Sequence, residues 1–330
     1  MRILKLRMKS PMSSHQKNPP PPVPHVNYKP LFEAFAGVRK PKQITPCSQG
    51  CCGTPEELLE MLTCSREKLT WEQLWSFVMH YSTTVGTAAD FEYLLPAILK
   101  TWGEQSPTTE NSGYSDYVFS TLTGSPQFKK PGLMQLSPPL RDAAGEFMCD
   151  VFLSRMRAIP ALRAASRTEA RPAYQLIGEL AAFGGVCDQI PTLWNQLWRL
   201  DEVGLAWSGL VYLGCLFFTE QDNPLFAPWN SRHGGGPPPL WEASYYPSGE
   251  IPWLPQNRAF LETALSIQMV ETSLGLIREQ LPQQADILEA FTTQLTANRD
   301  LIELRCLLLP EILGVENRSD LISQFTYGTW

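Results

Sequence analysis

Histidine is scarce in this chain, with four in 330 residues: His15, His25, His80 and His233. A hydrolytic triad needs a histidine base held against its nucleophile. The first two lie in a proline-rich stretch and His80 falls at a helix end, which leaves His233 in a plausible loop. The chain also lacks a Gly-x-Ser-x-Gly elbow, a Walker A loop, a dinucleotide fingerprint and a His-Glu-x-x-His pair. Gly234-Gly235-Gly236 runs into three prolines instead of a helix, so it has no helix N-terminus with which to cradle a phosphate. No segment alternates apolar and polar residues between hairpin turns, as a sheet would require.

Positive charge is in deficit, 27 Lys and Arg against 33 Asp and Glu, and no basic stripe lies along an expected helix face. Affinity for nucleic acid rests on neutralised phosphates, so nucleic acid is not an expected partner. No apolar run reaches the roughly 20 residues that span a bilayer. The longest uncharged stretch, Val203 to Phe218, contains Gly204, Gly209 and Gly214, is flanked by Asp201, Glu202 and Glu220, and is expected to be a buried core helix. A membrane partner is not expected. The start, Met1 to Lys9, is basic without an apolar run of seven, which argues against a secretory signal. Eight cysteines are too few for a disulfide scaffold, so reduced thiols and a cytoplasmic location are expected.

Apolar residues are plentiful, 43% of the chain, enough for a sizeable core. Residues 1–27 combine Arg2, Lys5, Arg7, Lys9 and Lys17 with the run Pro19 to Pro22 and read as a disordered tail. Residues 28–330 read as one helical domain. Thr54-Pro55-Glu56-Glu57 pairs an N-cap hydroxyl with proline at N1 and glutamate at N3, so a helix is expected to begin there and bury Leu58, Leu59, Met61 and Leu62. Glu56, Glu57 and Glu60 suit its N-terminus through the helix dipole. Thr70-Trp71-Glu72-Gln73 repeats the device, with Leu69 set to staple onto Leu74. A third helix is expected from Asp90 to Trp102, kinked or broken near Tyr93 to Leu95 by Pro96.

Residues 103–137, rich in Ser, Thr, Gly and Pro, read as a long irregular connection. Ser137-Pro138-Pro139 opens another helix, which must stop before Pro160. Further helices are expected at about 172–183, ended by Gly184-Gly185, and at 191–200, 202–218, 258–280, 284–296 and 298–309. The fold class is all-α: an irregular array of antiparallel helix pairs, either a HEAT-like α-solenoid or a helical bundle.

The residues Cys47-Ser48-Gln49-Gly50-Cys51-Cys52-Gly53-Thr54-Pro55-Glu56-Glu57, then Leu69-Thr70, Thr83-Thr84-Val85-Gly86 and Asp90-Phe91-Glu92-Tyr93-Leu94-Leu95-Pro96, form a pattern. It resembles a family of uncharacterised bacterial helical proteins, over residues 47–102 and more weakly over 139–215. In that family's pattern Trp precedes the glycine of the Thr-Thr turn, where this chain has Val85. The resemblance implies a helical fold and supplies no reaction, ligand or catalytic residue.

Cys47, Cys51, Cys52 and Cys64 are the densest set of metal-ligand candidates, since four thiolates can close a tetrahedral site. Their spacing lacks paired Cys-x2-Cys knuckles, and a redox pair or plain packing thiols are the alternatives. The stretch Thr219 to Gln256 holds eight prolines, four glycines and the aromatics Phe226, Trp229, Trp241, Tyr245, Tyr246 and Trp253. Long loops with amphipathic rings favour binding surfaces, and the plainer alternative is that the rings cover a neighbouring helix. The expected function is therefore a non-enzymatic protein-interaction module, with Trp229, Trp241, Tyr245, Tyr246 and Trp253 as candidates for contacting another protein. The rival is an enzyme or metal-binding protein built around the Cys47–Cys64 cluster or His233. No catalytic residue and no cofactor is assigned.

Overall fold

Three capping boxes set the N-terminal helices. A computed structural model of the chain describes residues 26–47, 54–105, 113–159, 167–218, 224–225 and 252–314. After α1 (Lys29–Ala34), helix α2 (Pro55–Glu60) starts where Glu57 N–H donates to Thr54 Oγ1 at 3.2 Å and Thr54 N–H to Glu57 Oε2 at 2.7 Å. Helix α3 (Trp71–His80) repeats the pair with Thr70 and Gln73, and Leu69 and Leu74 are both buried. Helix α4 (Ala88–Glu104) begins two residues earlier than the sequence suggests, because Thr87 and Asp90 make a third box. It runs unbroken through buried Pro96. A proline removes one amide donor, and twelve buried residues along α4 hold the helix in place. Helix α2 is short, and Leu59 faces solvent although Leu58, Met61 and Leu62 are buried as expected.

The Thr-Thr-Val-Gly turn folds back on the chain that precedes α2. Thr84 and Val85 N–H both donate to His80 O, and Gly86 N–H donates to Thr45 O at 2.8 Å. Gly86 has φ 72, and a Cβ there would lie 2.5 Å from the Phe77 ring, so only glycine fits. Asp90, 2% exposed, accepts from Thr87 N–H at 2.8 Å, Thr87 Oγ1 at 2.9 Å and Thr45 N–H at 3.4 Å. Lys130 donates to the carbonyls of Val85 and Gly86 and lies 5.5 Å from the Tyr81 ring centroid, while Tyr81 donates to Pro131 O at 2.8 Å.

The stretch 103–137 is more ordered than its composition suggests. It contains α5 (Gly113–Thr123) and a 3-10 turn, Leu133–Gln135. Val118, Phe119 and Leu122 form a short buried stripe that outweighs the surrounding Ser and Thr. Two long helices follow, α6 (Pro138–Arg157) and α7 (Arg167–Val186), then α8 (Ile190–Leu197) and α9 (Val203–Phe217). The helix expected over 258–280 is two, α10 (Pro255–Ala264) and α11 (Ile267–Gln280), because extended Ser266 caps α11 through its hydroxyl. Helices α12 (Ala285–Ala297) and α13 (Arg299–Gly314) complete the set.

The protein is all-α: among the described residues there is no strand, only an isolated bridge between Ser125 and Lys130. Helix α9 is the hub. It packs on α6, α7, α11 and α13, and its residues Leu205, Ala206, Trp207, Leu210, Val211, Leu213, Leu216 and Phe217 are buried on every side. Gly204 lets its first turn approach α6 closely, since a Cβ would lie 2.4 Å from Arg157 O. Contacts between α1 and α6 and between α10 and α13 join helices distant in sequence. No described helix is long and apolar enough to cross a membrane.

Candidate functional site

Most of the aromatic segment lies outside the described residues, and with it Trp229, Trp241, Tyr245, Tyr246 and His233. Its two ends are described. Phe218 is buried just past α9 and meets Phe291 edge-on at 5.2 Å, and Leu225 is 2% exposed. The last carbonyls of α9 form the negative end of the helix dipole, and there buried Arg305 donates from Nη1 to Phe217 O at 2.5 Å.

At the other end Trp253 is 3% exposed, so its ring belongs to the core and not to a surface. Its backbone N–H donates to Leu313 O at 2.7 Å and its indole N–H to Ala181 O at 2.8 Å. The ring covers Gly184, where a Cβ would lie 2.2 Å from it. Leu254 N–H and the Asn257 side chain both donate to Gly184 O, and Asn257 donates also to Cys187 O at 2.6 Å. Gly184-Gly185 therefore does not end the helix as expected. Helix α7 continues to Val186, and Gly184 is a notch in its side that receives the indole. The gap between Trp253, Trp194, Tyr212 and their aliphatic neighbours leaves no room for a water molecule, so it is packing and not a ligand pocket.

The cysteine candidates are divided. Cys47 is 6% exposed within the core, Cys64 is half-buried, and Cys51 and Cys52 lie outside the described residues. Among the described residues no three His, Cys, Asp or Glu side chains come together as metal ligands. Burial pushes the Cys187 and Cys306 thiols up to about 12, and raises Cys149 further. A thiol held protonated is a poor nucleophile, so these three are packing groups at neutral pH.

A buried charge pair escaped the sequence reading. Arg155 on α6 and Glu179 on α7 meet at 2.8 Å with side chains 3% and 1% exposed. Ser115 on α5 donates to Glu179 Oε1 at 2.7 Å, and Arg155 donates to the carbonyls of Trp102 and Gln105 at the end of α4. Its guanidinium also lies 4.6 Å from the Trp102 ring centroid. Four helices thus share one buried polar clasp. The signal was present: Arg155 continues the core-facing spacing of Met148, Val151 and Phe152, and Glu179 sits between Leu176, Leu180 and Phe183.

The described parts define a class, an all-helical protein. No family model, no curated protein and no solved structure matches the chain.

Proposed function

We propose that the protein is a non-enzymatic helical interaction module that presents residues 226–251 to another protein. The observation that carries this reading is the fixing of both ends of that segment. Phe218 and Leu225 are buried on one side, and Trp253 is held by two hydrogen bonds and a glycine seat on the other. A segment tethered on a rigid body loses less entropy on binding than a free tail of the same composition. Its prolines lower that entropy further, and Trp229, Trp241, Tyr245 and Tyr246 are the residue types that dominate contact energy. The unbridged thiols of Cys64, Cys149, Cys187 and Cys306 suit the reducing cytoplasm as its location.

The test is quantitative cross-linking capture with the wild-type chain and the variant Trp241→Ala, Tyr245→Ala, Tyr246→Ala. The variant is expected to lose a partner at least about tenfold, as truncated contact residues do, while melting within a few degrees of wild type. Equal capture at equal stability would remove the segment from any recognition role.

A further inference from the structure

Positive charge is concentrated in one part of the chain. Residues 1–42 hold nine Lys and Arg against the single acid Glu33, a net charge of +8, whereas the whole chain stands at −6, which leaves −14 on the rest. The end of this basic segment is described. Arg39, Lys40 and Lys42 are exposed, lie outside any helix and make no ion pair among the described residues. The strip is fixed on either side, because Phe35 and Ile44 are buried and Arg66 donates to Phe35 O at 2.6 Å. Three exposed cations on a fixed strip, continuing a basic stretch of sequence, form an anion-seeking surface on an otherwise acidic protein.

The kind of anion is indicated by the side chains between the cations. Met1 to Lys9 interleaves Arg2, Lys5, Arg7 and Lys9 with Ile3, Leu4, Leu6 and Met8. Aliphatic side chains enter the boundary between headgroups and acyl chains, while cations meet anionic headgroups. Single-stranded nucleic acid would instead favour rings on which bases stack. The first Phe, Trp or Tyr is Tyr28, and its ring already packs against Phe147 at 5.8 Å and lies beneath Lys100. We propose that residues 1–42 hold the protein against an anionic lipid surface, with Arg39, Lys40 and Lys42 at the edge of the contact. The lack of a spanning helix bears on crossing a bilayer and not on lying against one. Repulsion of the acidic remainder is screened beyond about 8 Å at physiological salt. The contact does not involve residues 226–251 and stands or falls apart from the function proposed for them.

The experiment is co-sedimentation of the full chain with vesicles of phosphatidylcholine alone and with vesicles that contain roughly one third phosphatidylserine. Wild type is expected to bind only the anionic vesicles and to lose affinity as salt rises. Arg39→Gln, Lys40→Gln and Lys42→Gln together should weaken that binding roughly tenfold to a hundredfold, at about fivefold per cation near the surface. The melting temperature of this variant should match wild type, because the three side chains are exposed. Ile3→Ser with Leu4→Ser and Leu6→Ser keeps every charge and should also weaken binding to the anionic vesicles. Equal binding to both kinds of vesicle, or to neither, would overturn the proposal. So would either variant binding like wild type. Single-stranded RNA that binds more tightly than the anionic vesicles, with no response to the serine changes, would assign the segment to nucleic acid instead.

Discussion

Trp253 illustrates how one side chain can be misjudged from composition. Its neighbours Pro252, Leu254 and Pro255 place it in a loop, and only α7, with α8 and α9 between them in the sequence, supplies the notch at Gly184. Trp253→Ala is expected to destabilise the fold by about 3–5 kcal/mol in urea denaturation, as large-to-small core changes do. Trp253→Phe keeps a ring but loses the donor to Ala181 O, and should fall well short of that loss. Gly184→Ala should also be costly, because the new methyl meets a packed indole that has nowhere to move. The Arg155–Glu179 pair gives a different signature. Arg155→Ala should cost about 3–5 kcal/mol because it strands a buried carboxylate, whereas Arg155→Met with Glu179→Leu should cost far less than the single changes summed. Additive losses in that cycle would show that the two charges do not act together.

Helices α2, α3 and α4 each begin on a capping box, but the boxes differ in burial. Thr70 and Thr54 lie at the surface, and Thr70→Ala should cost about 0.5–1 kcal/mol. Asp90 is buried and also receives Thr45 N–H, so Asp90→Ala removes the carboxylate half of the α4 box together with its link to the chain before α2. That change is expected to exceed the loss at Thr70 by at least about 1 kcal/mol, because it removes three hydrogen bonds to one buried carboxylate at once. Equal effects at the two boxes would mean that the link to Thr45 contributes nothing. Val85, next to Gly86 in the turn before α4, sits wholly in the core.

Over the whole molecule, four buried groups couple the fold to alkaline pH. Cys149, Cys187, Cys306 and Tyr81 are all raised, each chiefly by burial. A group whose folded value is raised above its unfolded value contributes stability that is whole below the unfolded value and is lost as pH rises through the folded one. For Cys187 that window runs from the ordinary 9.0 to about 12. The melting temperature should hold steady up to about pH 9 and fall steeply above it, since each buried thiol must ionise or unfold. Cys187→Ala should flatten part of that fall in a thermal scan at stepped pH, and an unchanged profile would mean the thiol is not buried as described.

The sequence alone determined what depends on neighbours a few residues apart. The capping hydroxyls of Thr54 and Thr70 and the apolar periods of α3 and α6 could be read directly, as could the uncharged run that becomes α9, because helix starts and amphipathic faces are set within one or two turns. From these followed the all-α class. What joins distant parts was decided only by tertiary structure. The Ser- and Thr-rich stretch before Leu133 hid α5, whose short stripe gains its stability from α3 and α7 and not from its own propensity. Gly184 looked like a stop signal and became the seat for a tryptophan 69 positions further on, because a missing Cβ is equally useful for ending a helix and for letting a ring approach it.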